Sequence, residues 1–196
     1  MDVDPALVKA CQRGEPGALD TLIRATYADV YALCRRMLAD PDEAADATQE
    51  VYLRVMRSVL GFRGDSAFGT WLHRVTVNVC LTALRKRSKA RAAGMVAGGA
   101  PFALPGDEAA LPYDGGAPDD LAVTADLAAR SEAALATLPE DARAVVVLRD
   151  IEGLSTKEVA DLLGVTENVV KVRLHRAHAR LRTILLSGVG AEGAGG

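Results

Sequence analysis

The sequence is short of the residues on which several kinds of protein depend. Its 196 residues include three cysteines, Cys11, Cys34 and Cys80, far apart and without a C-x-x-C or Cys/His cluster. That argues against a disulfide framework or a structural zinc site, and small buried thiols are the expectation for Cys34 and Cys80. Aromatic residues make up only 4% of the chain. No apolar run approaches the roughly 18 residues that span a bilayer. The opening stretch "MDVDPALVKACQRG" has acids where a signal peptide has its apolar centre, so a cytoplasmic protein without membrane insertion is expected. A phosphate loop, a nucleophile paired with a base and a metal-ligand cluster are all missing. The expectation is therefore no enzyme, no cofactor and no metal.

Charge of one sign is missing locally rather than globally. The net charge is only −3, with 23 Lys and Arg against 26 Asp and Glu. Yet residues 92 to 129 contain no Lys or Arg and six acids, while "RKRSKAR" (85 to 91) holds five cations in seven residues. Residues 168 to 182, "NVVKVRLHRAHARLR", hold five more Lys and Arg and no acid. Two basic blocks separated by an acidic stretch suit a two-point polyanion binder.

Strand-like alternation and internal repeats are also lacking, and the reading is all-α: two small helical domains joined by a flexible linker. Residues 1–91 form the first domain. Within it Leu19, Leu22, Ile23, Val30, Leu33 and Met37 recur at spacings of three and four, and Asp40-Pro41 ends their helix. A second helix over about 42 to 60 carries a Val51, Val55, Val59 stripe. After the loop "GFRGDS", a third starts near Ser66 with Phe68, Leu72, Val75 and Val79 inwards. Residues 92–125, rich in Gly, Ala and Pro, read as the acidic linker. Residues 126–186 are the second domain and 187–196 a disordered tail.

The second domain has the layout of a helix-turn-helix. Ser155 and Glu158 make a capping box for a short helix bearing Val159, Leu162 and Leu163, with Ala160 small enough for a close crossing. Gly164 supplies the positive φ of the turn, and Thr166 can cap the next helix. There Val170, Leu174, Ala177 and Leu181 make the buried stripe. Val169 falls about 100° away, at the margin, and Val172 about 200° away, on the outer face. Asn168, His175 and Ala179 share that face, flanked by Lys171 and Arg176. Cations for phosphates, polar groups for base edges and an apolar side chain able to meet a thymine methyl are the composition of a major-groove reader. This motif alone says duplex-DNA binding, as in a free-standing transcriptional regulator.

The first domain is more specific. "DATQEVYLRV" and "FRGDSAFGTWLHRVTVNVCLTALRKR" resemble the core-binding and promoter-melting domain of bacterial sigma factors. "LPEDARAVVVLRDIEGLSTKEVADLLGVTENVVKVRLHRAHARLR" is similar to their second domain. The pair of blocks, in that order over roughly 15 to 90 and 130 to 186, resembles the extracytoplasmic-function (group IV) subfamily. A free-standing regulator would not need the block at 42 to 91.

The resemblance implies a promoter-specificity subunit of RNA polymerase. Periodicity places Asp46, Gln49 and Leu53 opposite the valine stripe with Glu50 at its edge, and an exposed Leu among polar groups suggests a protein contact. The resemblance makes that contact the clamp helices of the β′ subunit, and adds the flap of the β subunit as a second partner. On the third helix, Thr70, Arg74, Val77, Asn78, Leu81 and Arg85 are expected to face outwards. Arg74 and Asn78 would hold and read a −10 strand, with Trp71 either a stacking wall there or a large core residue at the helix start, and Arg85, Lys86, Arg87 and Lys89 on upstream phosphates. Asn168, Lys171, Val172, Arg173, His175 and Arg176 would contact the −35 element. The family's primary members have more aromatics for melting, and Gly69 stands where a larger residue is usual, which implies weak melting and a narrow promoter set. The resemblance further implies a linker running through the RNA exit path and an anti-sigma partner covering both domains.

Overall fold

The computed structural model describes residue 1, residues 3–94 and residues 125–189, in which every element is helical. The chain divides into two compact units, Met1–Met95 and Val96–Gly196. Residues 95–124 of the expected linker and residues 190–196 of the expected tail lie outside the described residues.

The first unit opens with α1 (Pro5–Gln12), a helix that the hydrophobic spacing does not announce. Its start is locally encoded: the Asp4 carboxylate accepts from the Ala6 N–H at 2.8 Å, and Pro5 occupies the first helical position. Helix α2 runs Ala18–Leu38 and ends on Ala39 at φ +62°, where the Arg35 guanidinium donates to the Ala39 carbonyl at 2.9 Å. Asp40 then caps α3 (Pro41–Ser58), accepting from the Asp42 and Glu43 N–H groups at 2.9 Å each. A 3-10 turn, Val59–Gly61, follows. The last helix, α4, spans Phe68–Gly94. It runs three residues into the stretch assigned to the linker, since adding turns to a formed helix is far easier than nucleating one.

Three helices build this core, α2 against α3 and both against α4. The Val51, Val55, Val59 stripe is buried, as its spacing predicts, and so are Leu22, Val30, Leu33 and Met37 of α2, against which α3 packs. Burying one such aliphatic side chain contributes about 1.5–3 kcal/mol. The buried hydroxyls of Thr26, Thr48 and Thr76 each donate to the carbonyl four residues earlier, so none of the three is left unpaired. Helix α4 departs from the expected single stripe. Val77 and Leu81, expected to face outwards, are 3% and 1% exposed, whereas Val75 is only half-buried. Packed against two helices at once, α4 buries a much wider arc than one stripe.

The second unit comprises α5 (Ala125–Ala136), α6 (Glu140–Val146), α7 (Thr156–Leu163) and α8 (Glu167–Val189). Between α6 and α7 the chain widens into a π-helical turn, Val147–Ile151. Every residue from Ala142 to Leu148 is buried, so α6 is the central element, packed along α8. Arg143, buried with it, donates to the Leu138 carbonyl at 3.4 Å. Helix α8 reaches Val189, past the residue at which the tail was expected to begin. No described helix is long and apolar enough to cross a membrane.

Candidate nucleic-acid and polymerase interfaces

Helices α7 and α8 form the helix-turn-helix. The Glu158 N–H donates to Ser155 Oγ at 3.2 Å and the Ser155 N–H to Glu158 Oε2 at 2.7 Å, closing the capping box. Gly164 ends α7 at φ +61°, and the Val169 N–H donates to Thr166 Oγ1 at 3.4 Å at the head of α8. Val170 and Ala177 are buried, and Leu174 and Leu181 are half-buried. The opposite side carries Asn168, Lys171, Val172, His175 and Arg176, all exposed. Arg173 stands apart from them. It is half-buried, and its guanidinium turns back to Asp141 at the start of α6, with Nε 3.2 Å from the carboxylate. Behind the helix, His178 Nε2 and Asp150 Oδ2 lie 2.6 Å apart, bracing α8 to the π-helical turn.

In the first unit, Asp46 and Gln49 of α3 are exposed while Glu50 and Leu53 are half-buried. Arg54 Nε donates to Glu50 Oε1 at 2.8 Å, and this bond holds the Glu50 carboxyl below the usual carboxylate range. Two residues outside the expected set extend this surface. Met56 is 41% exposed and Leu60 67%, at three and seven residues beyond Leu53. The signal for them is in the sequence: both are apolar and out of phase with the buried valines. An exposed Met and Leu towards the end of α3 and in the turn after it, on a helix that also exposes Asp46 and Gln49, give a mixed apolar and polar surface of the composition that suits a protein contact.

On α4 the outer stripe is Arg74, Asn78, Thr82, Arg85 and Lys89, with Asn78 and Lys89 exposed and the others half-buried. Lys86 is exposed beside it. Arg87 points the other way, its guanidinium donating to Glu43 Oε2 at 2.7 Å, so α3 already occupies this cation. Trp71 is half-buried within a three-ring cluster. Its centroid lies 5.5 Å from that of Phe62 and 5.1 Å from that of Phe68, which are 5.3 Å from each other. The cluster is anchored from α1. Gln12 Nε2 donates to the carbonyls of Val59 at 3.2 Å and Phe62 at 2.7 Å, fixing the start of the "FRGDS" loop. At Gly69 a Cβ would lie 2.0 Å from the Met1 carbonyl oxygen, so the chain's first residue fills the space that a larger side chain would take.

Among the described residues, no group of three or more His, Cys, Asp or Glu side chains is placed to hold a metal ion. What the geometry offers is three separate surfaces. One is apolar and polar (α3), one basic with an exposed amide (α4), and one basic with exposed valines (α8).

Comparison with known proteins bears on these surfaces. The family models for sigma-70 region 2 and sigma-70 region 4 match residues 22–90 and 130–181. The chain is 38% identical over 166 residues to the ECF RNA polymerase sigma factor SigE of Mycolicibacterium smegmatis. That match covers 85% of this chain and 61% of that longer relative. It is 34% identical over 182 residues to the ECF RNA polymerase sigma factor SigM of Mycobacterium tuberculosis, covering 93% and 84% of the two chains. The fold resembles that of the sigma factor RpoE solved with the anti-sigma factor NepR from Bartonella quintana. There the TM-score is 0.51 at 20% identity, over 86% of this chain and 97% of that one.

Proposed function

The chain belongs to the extracytoplasmic-function branch of the sigma-70 family, and from that premise we propose that it acts as a promoter-specificity subunit of RNA polymerase. It engages core polymerase through α3, opens and reads the −10 element with α4, and sets the N-terminal half of α8 into the major groove of the −35 element. It contributes binding energy and no covalent chemistry. The single observation that carries this reading is the co-occurrence, on one chain, of region 2 with an exposed apolar α3 face and region 4 with an exposed basic α8. A free-standing regulator would need only the second.

Within this reading the residues divide by chemistry. Asp46, Gln49, Glu50, Leu53, Met56 and Leu60 form the polymerase-facing surface, directed at the β′ clamp helices. Asn78, with an amide able to read a base edge, stands on α4 between Arg74 and Arg85, whose charges suit a single strand's backbone. Lys86 and Lys89 suit upstream duplex phosphates. Asn168, Lys171, Val172, His175 and Arg176 face the −35 element, where Arg173 acts by bracing α8 against α6. An anti-sigma partner, as found with the Bartonella quintana relative, would regulate the chain by covering these surfaces.

Run-off transcription tests the proposal. Core polymerase supplemented with this chain should yield a promoter-dependent transcript on a genomic fragment recovered with the holoenzyme. Absence of both a transcript and stable core binding would overturn it.

A further inference from the structure

At the head of α8, Val172 is exposed as its spacing predicts, and Val169 is exposed beside it. Val172 is 41% exposed and Val169, expected at the margin of the core, is 36% exposed. Three residues apart on one helix, they are surface neighbours with Cβ atoms roughly 5–6 Å apart. They occupy the first two turns, the part of a recognition helix that meets base edges. Asn168, Lys171, His175 and Arg176 surround them, all exposed, and no acid lies between Asn168 and Arg182. An apolar pair flanked by the cations Lys171 and Arg176 fits a polyanion that itself carries apolar groups. Duplex DNA is such a surface, because thymine alone puts a methyl group into the major groove.

Resting on the −35 reading of α8, we infer that Val169 and Val172 together read the methyl groups of two adjacent thymines in the −35 element. The spacing supports adjacency. Three helical residues advance about 4.5 Å, close to the roughly 3.4 Å rise between neighbouring bases of one strand. Arg173, the cation between the two valines and Arg176, is tied to Asp141 and does not compete for that part of the groove. The pair selects by contact area: a methyl seated against a valine leaves water, and a base without one leaves the valine facing a gap.

The test starts from a randomised duplex pool, from which holoenzyme reconstituted from core polymerase and the full chain selects its own sites. Each thymine of the selected −35 element is then replaced by deoxyuridine, which keeps every hydrogen-bonding group and lacks only the methyl. Wild-type holoenzyme should lose about fourfold in affinity at each of two neighbouring thymines, equivalent to about 0.8 kcal/mol per buried methyl. The doubly substituted Val169→Ala, Val172→Ala chain should bind the thymine and deoxyuridine sites equally. Both valines are exposed, so circular dichroism and Tm should match the wild type. Indifference of the wild type to deoxyuridine at every position, with transcription intact, would overturn this inference and leave the sigma reading standing. Equal deoxyuridine sensitivity in the double variant would overturn it too, as would weaker core binding with unchanged site preference, which would turn the valines towards polymerase. No selected site and no transcript would remove the reading on which it rests.

Discussion

Arg87 of α4 donates to Glu43 of α3 at 2.7 Å, joining residues 44 positions apart in sequence. The pair ties the first turn of α3 to the basic end of α4. Lys86, one residue earlier, is exposed. Adjacent cations in one basic run therefore do different work. Arg87→Ala should lower the Tm of the first unit by roughly 2–6 °C, since a partly exposed ion pair is worth up to about 1 kcal/mol. Lys86→Ala should leave Tm alone and reduce the salt dependence of promoter binding by about one unit of slope. Thermal melts and salt titrations separate the two, and the reverse pattern would refute the assignment.

Cys80 donates to the sulfur of Cys34 at 3.6 Å, and both thiols are fully buried between α2 and α4. The bond from Cys80 favours a thiolate on Cys34 and, with desolvation, drives the Cys80 thiol well above its usual range. Burial of this kind makes thiols inert. Mass-spectrometric labelling should find Cys34 and Cys80 unmodified until the unit unfolds. Rapid labelling of either in the native protein would contradict the packing described.

Stability should fall at alkaline pH. Desolvation raises the Tyr52 phenol and the Cys11 thiol. Above the ordinary thiol and phenol values, about 8.5 and 10, the unfolded chain releases protons that the folded one keeps. Stability present at neutral pH is therefore lost as pH rises through that window. The Tyr52 hydroxyl lies 3.0 Å from Thr26 Oγ1, so Tyr52→Phe should cost about 1 kcal/mol at neutral pH and flatten part of the alkaline decline. Tm followed by circular dichroism from neutral to about pH 10.5 measures both; parallel curves for the two chains would count against the account.

Met56→Ser and Leu60→Ser should each weaken core polymerase binding about three- to tenfold, the loss of one exposed apolar contact. Neither side chain belongs to the core, so Tm should hold. Fluorescence anisotropy with labelled chain would show this, and unchanged affinity in the double variant would exclude this face from the interface.

Asn78→Ala should leave binding to closed duplex nearly intact and reduce strand opening, as read by permanganate footprinting. Trp71→Ala makes a useful contrast. The ring packs against Phe62 and Phe68, so its removal should cost about 1–3 kcal/mol of stability before any effect on melting is seen. An unchanged open complex in the Asn78 variant would refute a base-reading role.

Much of this is legible in the residue order, and the reason differs by feature. The Ser155–Glu158 capping box, the Gly164 turn and the Val51, Val55, Val59 stripe follow from contacts within a turn or two of the chain, where spacing alone decides which groups meet. The same locality applies at Asp4-Pro5, which marks the start of α1; only the brevity of that helix conceals it. Met56 and Leu60 are equally visible as apolar residues out of phase, but phase cannot say whether a second helix covers them.

By itself, then, the sequence determined the three long helices of the first domain, the Ser155–Glu158 capping box and the helix-turn-helix, because those depend on neighbours along the chain. It also carried the family, through two motif blocks in a fixed order. The tertiary structure alone decided which residues are left to act. Val77 and Leu81 are buried because α4 packs against both α2 and α3, an arc that periodicity in one helix cannot reveal. Arg87 and Arg173 are held by Glu43 and Asp141, carboxylates brought near only by folding. Cys34 and Cys80 meet for the same reason. Val169 is exposed beside Val172 while Val170 between them is fully buried, which turned a lone exposed valine into a pair.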